Sequence, residues 1–342
     1  MGLRAGHTDQ PLVDILLSTY NGQKYLGAQI DSLFSQTYQD WNLIIRDDGS
    51  KDGTVEIIKS YRARYPDKLT FVEDASANLG ASLNFGRLLE HAGADYMMFC
   101  DQDDVWLPDK VELTLHRMLD MEKAFGRDMP LLVHTDLTVV DENLAAVSDS
   151  FWKYQKLDPD KGKSFSRTLV YNVMTGCTAM INRRLRDLAV PIPGEAVMYD
   201  WWLVLVASAF GRIGVITRPT VLYRQHGKNV VGAKYWDLSM RLKKVLSVRR
   251  GEESRESARI LLDKVLRFFD TREFRKSLSD SQRQARAFLE RYKATLDERD
   301  FLKAQAYATM EAQNFFQKRL SLLKYRLFTE GVVRNIGLFL RV

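Results

Sequence analysis

Three carboxylates stand within four residues of one another in the run Asp101-Gln102-Asp103-Asp104. They follow directly on the apolar segment Tyr96–Cys100, which predicts a buried strand. Carboxylates crowded beside a low-dielectric interior repel one another and need a counter-charge. A hard oxygen cluster favours Mg²⁺ or Mn²⁺ over zinc, and ligands collect at the carboxyl ends of strands in open α/β sheets. The run therefore predicts a site for a divalent metal and a diphosphate, with a solvated acidic turn as the alternative.

The elements that must position this run alternate between strand and helix. The predicted strands are 12–18, 41–45, 69–72, 96–100, 131–135, 138–140 and 221–224, and the predicted helices are 26–34, 55–61, 83–92, 110–125 and 201–207. A polar segment from 148 to 166 is expected to loop over the sheet. Strands and helices that alternate at this spacing imply βαβ units. We therefore expect an α/β fold with a twisted, mostly parallel sheet and flanking helices.

Five short motifs follow one another along this region. They are Leu17–Asn21, Asp47–Thr54, Asp101–Asp104, Thr175-Gly176 and Asp200–Trp202. In this order and spacing they resemble the family 2 glycosyltransferases, over roughly residues 11–230. The resemblance implies a Rossmann-like GT-A catalytic domain at 1–233, followed by a basic α-helical region at 234–342. More narrowly, the segments 101–108, 199–202 and 223–226 look like the rhamnosyltransferases that build streptococcal-type rhamnose cell-wall polysaccharides.

The resemblance implies that a nucleotide-sugar donor lies at the carboxyl ends of the first strands. Ser18 and Tyr20 would line its base and ribose. Asp48 would accept the N3–H of a pyrimidine, although helix capping is the alternative for this residue. Asp101 would contact the ribose or the water shell of the metal, and Asp103 would ligate the metal directly.

The resemblance also assigns Asp200 as the general base. Inverting transfer needs a base that takes the proton of the acceptor hydroxyl. Trp201 and Trp202 would offer the acceptor sugar an aromatic surface, and Thr175 and Gly176 would add further acceptor contacts. Because the helix dipole stabilises a carboxylate at a helix N-terminus, simple capping is the alternative for Asp200.

Residues beyond these motifs complete the predicted site. In the family pattern a histidine after the base helix reaches the metal or the diphosphate, and His226 stands there, although an ordinary polar histidine is the alternative. Arg224 and Lys228 are cations that would neutralise a leaving diphosphate. Asp104 is an additional carboxylate beyond the minimal acidic motif of the family, and we expect it to orient Lys110 or the acceptor loop.

Composition limits the class of protein. The chain of 342 residues is 45% hydrophobic and 27% charged, as ordinary globular proteins are. Its two cysteines, Cys100 and Cys177, form neither a disulfide framework nor a CxxC pair, which favours a reducing compartment. No secretion signal is visible, and the longest apolar run, 201–210, is too short to span a bilayer. We therefore expect a cytoplasmic protein.

The charge of the chain is unevenly distributed. Residues 234–342 hold 25 Lys and Arg against 14 Asp and Glu, whereas residues 1–233 hold 25 against 30. A basic tail suggests an anionic partner, but no zinc-finger or RNP-like motif supports nucleic acid. The basic amphipathic stretch 315–327 and the apolar end 332–340 fit a membrane interface, with a helical cap or a homodimer contact as alternatives. We expect peripheral association with the inner face of the bacterial plasma membrane.

Three functions remain open on the sequence. The first is an inverting, metal-dependent α-L-rhamnosyltransferase that uses dTDP-β-L-rhamnose and a lipid-linked glycan acceptor in cell-wall or surface polysaccharide synthesis. The second keeps this chemistry with a UDP-hexose donor, for galactosyl, glucosyl or N-acetylhexosaminyl transfer. The third is a catalytically silent sugar-nucleotide-binding scaffold, against which the presence of Asp101, Asp103, Asp200 and His226 argues. Walker, GxGxxG and Ser-His-Asp patterns are absent, so kinase, dehydrogenase and hydrolase activities lack support.

Overall fold

The computed structural model describes residues 10–74, 76, 78–163, 168, 172–192, 198–227 and 290. By its internal contacts the chain divides into two units, and the first comprises 1–164, 171–194 and 198–235. All the elements described below belong to this first unit. Lys228 and, apart from residue 290, the predicted C-terminal helical region with its amphipathic stretch lie outside the described residues.

Within the described residues, nine strands form one sheet. They are β1 (Val13–Thr19), β2 (Trp41–Asp47), β3 (Leu69–Val72), β4 (Tyr96–Cys100), β5 (Val105–Trp106), β6 (Leu131–Val140), β7 (Ala146–Ser148), β8 (Ala179–Asn182) and β9 (Arg212–Arg224). The strand order is β3-β2-β1-β4-β8-β6-β9-β5, and β7 pairs with β6. The first four strands are parallel, whereas β8 runs antiparallel to both β4 and β6. The sheet is therefore parallel at the predicted nucleotide end and mixed beyond β4.

Seven described α-helices accompany the sheet. They are α1 (Leu26–Phe34), α2 (Thr54–Arg64), α3 (Ala81–His91), α4 (Lys110–Phe125), α5 (Phe151–Gln155), α6 (Arg183–Ala189) and α7 (Tyr199–Phe210). Of these helices, none combines the length and the hydropathy that a membrane span requires. The amphipathic helix predicted at 26–34 is present as α1, with Leu26, Ile30 and Leu33 fully buried. Its apolar stripe packs on the sheet, as the spacing of these residues predicts.

The central strands are apolar on both faces. In β1, Ile15, Leu16 and Leu17 are all fully buried, as expected for a strand covered by helices on both sides. Burial of each such side chain stabilises the fold by roughly 1.5–3 kcal/mol. Because this core fixes β1 beside β2 and β4, the polar residues that follow these strands meet at one edge of the sheet.

The middle of the chain differs from the sequence-based expectation in three places. The two strands predicted at 131–135 and 138–140 are one strand, β6, with register irregularities around Asp136. The Asp136 carboxylate accepts hydrogen bonds from Ser150 Oγ and from the backbone N–H of Leu137, which satisfies a polar group inside a buried strand. The segment predicted to loop over the sheet contains α5 and a 3₁₀ turn, and β7, β8 and α6 were not predicted.

Candidate active site

The turns after β1 and β2 are held together by side-chain hydrogen bonds. Asp47 Oδ1 accepts from Thr19 Oγ1 at 2.7 Å, and Asp47 Oδ2 accepts from the N–H of Ser50 at 2.7 Å. Asn21, whose φ of 48° lies in the left-handed region, accepts from the N–H of Lys51 at 2.8 Å. These contacts fix the polar edge along which the sequence predicts a nucleotide.

Asp48 is buried in this edge and already hydrogen-bonded. Its Oδ1 accepts from the N–H of Leu79 at 2.8 Å, and its Oδ2 accepts from the N–H of Gly80 at 2.8 Å. Arg46 Nη1 lies 3.4 Å from Asp48 Oδ1. Asp48 therefore holds the loop that leads into α3, which is a structural role of the kind named as its alternative. A carboxylate has about four acceptor positions, so a pyrimidine contact stays a prediction.

Ser18 and Tyr20 lie at the end of β1, as predicted. Ser18 Oγ accepts from Asn84 Nδ2 at 2.8 Å, and Asn84 Oδ1 accepts from the buried Arg46 at 2.7 Å. Tyr20 is 48% exposed, so its ring can meet a ligand. The backbone N–H and C=O of Tyr20 both bond to the side-chain amide of Gln102, which ties this turn to the acidic run.

The acidic run turns into the protein interior at Asp104. This side chain is fully buried, and its Oδ1 accepts from the N–H of Arg224 at 3.0 Å. Its Oδ2 has no hydrogen-bond partner in the described part of the chain, and the thiol of Cys177 is a weak donor to the carboxyl group. Burial, followed by the neighbouring carboxylates, raises the pKa of Asp104 well above its usual range.

Asp101 lies beside the same group. One ligand atom from each of Asp101, Asp104 and Cys177 lies within 4.8 Å of the others. Burial, together with the charges of Asp103 and Asp200, raises the pKa of Asp101 to about 7. The structure thus brings the acidic run and Asp200 into electrostatic contact, although the two are far apart in the sequence.

Asp103 and His226 form a close pair. His226 Nε2 lies 2.7 Å from Asp103 Oδ2 across 123 residues of sequence. Tyr25 stacks on the imidazole with ring centroids 4.9 Å apart, which limits the orientation of His226. The structure therefore brings together the two residues that the resemblance assigns to the metal.

The described donor set fits a hard divalent cation. Burial first and the neighbouring carboxylates second raise the pKa of Asp101 and of Asp104, and a bound cation would favour the charged form of both groups. Asp104 Oδ2 has no hydrogen-bond partner in the described part of the chain. Carboxylate oxygens suit Mg²⁺ and Mn²⁺, and Asp103 offers one next to the imidazole of His226. Asp103 and His226 are accordingly the residues that would hold the metal.

Two cations differ from their predicted roles. Arg224 is 5% exposed, and its guanidinium donates to the backbone carbonyls of Asp103 at 2.8 Å and Glu142 at 2.6 Å. Arg224 thus anchors the acidic run through the backbone carbonyl of Asp103. Lys110 is not ion-paired with Asp104 but contacts Thr220 Oγ1 at 3.5 Å. Burial lowers the pKa of Lys110 to about 8.

Asp200 lies in the first turn of α7 and is 9% exposed. Its Oδ1 accepts from the N–H of Trp201 at 2.6 Å, and the N–H of Gly176 also bonds to it. Burial raises the pKa of Asp200 to about 6, which is a suitable value for a group that takes a proton near neutral pH. A Cβ at Gly176 would lie 2.0 Å from the Tyr199 hydroxyl oxygen, so only glycine permits this approach.

The predicted acceptor residues separate into two groups. Thr175 and Trp201 are partly exposed beside Asp200, whereas Gly176 is buried and supports the carboxylate. Trp202 is 7% exposed, and its Nε1 donates to the carbonyl of Ala189 at 2.9 Å. The prediction that Trp202 offers a ring to the acceptor does not fit this packing, because the ring and its polar atom are used inside the protein.

Sequence reasoning missed two residues that shape the site. Tyr25 is one of 14 tyrosines, and nothing local distinguishes it before His226 is placed against it. Gln102 stands inside the acidic motif, but its contact with Tyr20 spans 82 residues. The available signal for Gln102 was its position in the sequence between Asp101 and Asp103, two carboxylates that were assigned to the site.

The chain is similar in sequence to known glycosyltransferases. The sequence model described as Glycosyl transferase family 2 matches residues 14–187. The putative teichuronic acid biosynthesis glycosyltransferase TuaG of Bacillus subtilis is 28% identical over 208 residues, which cover 60% of this chain and 76% of TuaG. The dTDP-rhamnosyl transferase RfbG of Shigella flexneri is 27% identical over 228 residues, which cover 64% and 74%. The putative glycosyltransferase EpsE of Bacillus subtilis is 39% identical over 103 residues, and this match spans 30% of the chain and 36% of EpsE.

Solved structures share the fold. S. aureus TarS 1–349 in complex with UDP-GlcNAc has a TM-score of 0.50 at 17% identity, covering 94% of this chain and 91% of that one. The mannosyltransferase PcManGT from Pyrobaculum calidifontis, in complex with GDP-Man and Mn²⁺, has a TM-score of 0.50 at 15% identity, covering 96% and 87%. The GT-A-like α/β fold predicted from the sequence is therefore confirmed, with a sheet that is mixed in its second half.

Proposed function

Because the chain belongs to glycosyl transferase family 2, we propose that it is an inverting, metal-dependent rhamnosyltransferase. Its donor is dTDP-β-L-rhamnose, and its acceptor is a lipid-linked glycan of cell-wall or surface polysaccharide synthesis. The observation that carries this proposal is the convergence of Asp101, the Asp103–His226 pair and Asp200 at one edge of the sheet. The choice of rhamnose is supported by the narrower motif resemblance and by the similarity to RfbG.

The nucleoside end of the donor lies along β1 and β2 on this proposal. The exposed ring of Tyr20 meets the base, and Ser18, held by Asn84, faces the deoxyribose. Asp48 accepts the N3–H of the pyrimidine with the acceptor capacity that its backbone partners leave. Asp101 contacts the deoxyribose or the water shell of the metal.

The diphosphate end is assigned to Asp103 and His226, which would hold Mg²⁺ or Mn²⁺. A bound divalent cation stabilises the negative charge that develops on a leaving diphosphate. The chain contributes the alignment of the two ligand atoms. Tyr25 packs on the imidazole, and Arg224 fixes the acidic run through the Asp103 carbonyl.

Asp200 removes the proton of the acceptor hydroxyl as that oxygen attacks the anomeric carbon from the face opposite the diphosphate. A single displacement inverts the configuration, so a β-linked donor gives an α-rhamnoside. The N–H groups of Trp201 and Gly176 keep the Asp200 carboxylate in place. The partly exposed Trp201 and Thr175 contact the acceptor sugar.

A UDP-hexose donor is the second candidate, and one specific observation favours keeping it. The assigned donor residues bear on the pyrimidine N3–H, the pentose and the metal-bound diphosphate, and a UDP-hexose presents the same imide edge, a closely similar pentose and the same diphosphate as dTDP-rhamnose. A sugar-nucleotide-binding scaffold without activity is the third candidate, and turnover of any donor excludes it.

The basic region 234–342 is proposed to attach the protein to the cytoplasmic face of the plasma membrane. Its excess of Lys and Arg over Asp and Glu suits an anionic lipid surface, where each basic residue near the surface contributes about 1 kcal/mol. Such attachment brings the active site to a lipid-linked acceptor. Co-sedimentation of the full chain with vesicles containing anionic lipid tests this attachment. Absence of binding at both low and high salt contradicts it. A homodimer contact through the same region is the alternative, and the mass of the full chain in solution tests it.

A donor screen tests the proposed function. The full chain is incubated with Mn²⁺, a lipid-linked rhamnosyl acceptor and either dTDP-β-L-rhamnose or a set of UDP-hexoses, and products are identified by mass spectrometry. We expect transfer from dTDP-rhamnose, and a stronger thermal shift with dTDP than with UDP. Transfer from a UDP-hexose alone selects the second candidate.

A further inference from the structure

Gln102 joins the two loops that meet opposite ends of the proposed donor. Its Oε1 accepts from the N–H of Tyr20 at 2.8 Å, and its Nε2 donates to the C=O of Tyr20 at 2.9 Å. One side-chain amide thus satisfies both backbone groups of a residue 82 positions away. This amide bridge ties the nucleoside turn after β1 to the acidic run after β4.

Gly22 makes room for the amide bridge. A Cβ at this position would lie 2.2 Å from Gln102 Oε1 and 2.6 Å from Gln102 Cδ. The backbone of Gly22 is outside the left-handed region, so an alanine could adopt its conformation. The absence of a side chain at Gly22 is therefore explained by the approach of Gln102. A methyl group there would displace the amide, because the three nearest atoms to its carbon all belong to the Gln102 side chain.

We infer that Gln102 is a positioning residue that couples the binding of a nucleoside diphosphate to the binding of the divalent cation. Asp101 and Asp103 flank Gln102 in the chain, and Tyr20 is its hydrogen-bonded partner. A ligand that orders the Tyr20 turn therefore also orders the metal-binding run, and the reverse holds because coupling between two ligands is reciprocal. This inference rests on the proposed function, which assigns the nucleoside to one loop and the metal to the other.

Two substitutions remove the amide bridge by independent routes. Gln102→Ala deletes the amide, and Gly22→Ala displaces it. Gly93→Ala is the matched control, because nothing lies within 4 Å of a Cβ at Gly93. The dissociation constants of dTDP and of UDP are measured by calorimetry with and without Mn²⁺, on full chains whose thermal unfolding is intact.

In the wild type and in Gly93→Ala, Mn²⁺ tightens nucleotide binding. In Gln102→Ala and in Gly22→Ala, this tightening falls by about five- to twentyfold, whereas metal-free affinity changes less than about twofold. The double variant loses no more than either single variant, because each change removes the same contact. A purely structural role predicts equal loss of affinity with and without the metal, and that result, or unchanged tightening, overturns the inference.

Failure of the proposed function gives a different outcome. If the wild type binds neither nucleotide under any condition, the nucleotide assignment is wrong. The bridge is then judged by hydrogen exchange of the peptide that contains Tyr20. Faster exchange in Gln102→Ala than in Gly93→Ala supports the amide bridge, and equal exchange refutes it.

Discussion

Replacing Asp200 with asparagine removes the proposed base while keeping the size of the side chain. The Oδ1 of asparagine can still accept from the N–H of Trp201, so the start of α7 should be preserved. General base catalysis contributes typically 10²- to 10⁴-fold to a rate. We therefore expect kcat to fall by about two to four orders of magnitude, with the donor dissociation constant changed less than about twofold.

The pH profile gives the same prediction a second readout. Burial raises the pKa of Asp200 to about 6, and the carboxylate must be deprotonated to act as a base. The active fraction is thus about a tenth near pH 5 and about nine tenths near pH 7. Because kcat/KM reports the pKa of the enzyme before substrate binds, the wild-type kcat/KM should rise about tenfold per pH unit below 6 and level off above it, and Asp200→Asn should lack this rise.

The assay measures initial rates with Mn²⁺ over a range of donor and acceptor concentrations between about pH 4.5 and 8, so that kcat and kcat/KM are both obtained, and donor affinity is measured separately by calorimetry. Asp120→Asn on α4 is the control, because that carboxylate is exposed. Near-normal turnover of Asp200→Asn, or a wild-type rate that is flat between pH 5 and 7, would refute the role of Asp200 as the base.

Three further predictions address the metal, the interior and the acceptor. Asp103→Asn is nearly isosteric, so it should abolish transfer and Mn²⁺-dependent nucleotide binding. The melting temperature should stay within about 3 °C of the wild type. Transfer at the wild-type rate would contradict the role of Asp103. Burial lowers the pKa of His134 to about 3, and its Nδ1 has no hydrogen-bond partner among the described residues. The unfolded chain takes up this proton below about pH 6.5 and the folded chain only near 3, so stability falls as pH drops through this window, by about 2–3 kcal/mol at pH 4.5. His134→Leu should lose that part of the pH dependence in urea denaturation, and an unchanged slope counts against it. Trp201→Ala should raise the acceptor KM at least about tenfold with donor affinity unchanged. Trp202→Phe loses the hydrogen bond to the Ala189 carbonyl, so it should lower the free energy of unfolding by about 1–3 kcal/mol and leave the acceptor KM unchanged. The opposite pattern would place Trp202 at the acceptor.

Local sequence signals predict the parallel half of the sheet well. The observed β3 and β4 coincide with the predicted runs 69–72 and 96–100, and α4 coincides with 110–125. Each is a strong apolar or amphipathic pattern with clear turn residues beside it. The short β8 was missed because its four residues, Ala179–Asn182, become a strand only by pairing with β4 and β6. That pairing is a long-range property which local periodicity does not contain.

The candidate site divides along the same lines. The family motifs identify the candidate carboxylates from the sequence. The closeness of Asp103 to His226 is a tertiary contact, which the motifs do not contain. Trp201 and Trp202 are adjacent in the motif, yet consecutive helical residues point about 100° apart, so one faces the site edge and the other the interior. Arg224 was predicted as a charge for the diphosphate because its backbone anchoring cannot be seen in the sequence.

The anomeric configuration of the product tests the proposed function most directly. The full chain is given dTDP-β-L-rhamnose, Mn²⁺ and a lipid-linked glycan acceptor, and the purified product is examined by NMR. We predict a single added rhamnose in α linkage, formed by the wild type and formed by Asp200→Asn at a rate lower by about two to four orders of magnitude. A β-rhamnoside, or transfer from a UDP-hexose with none from dTDP-rhamnose, would contradict it.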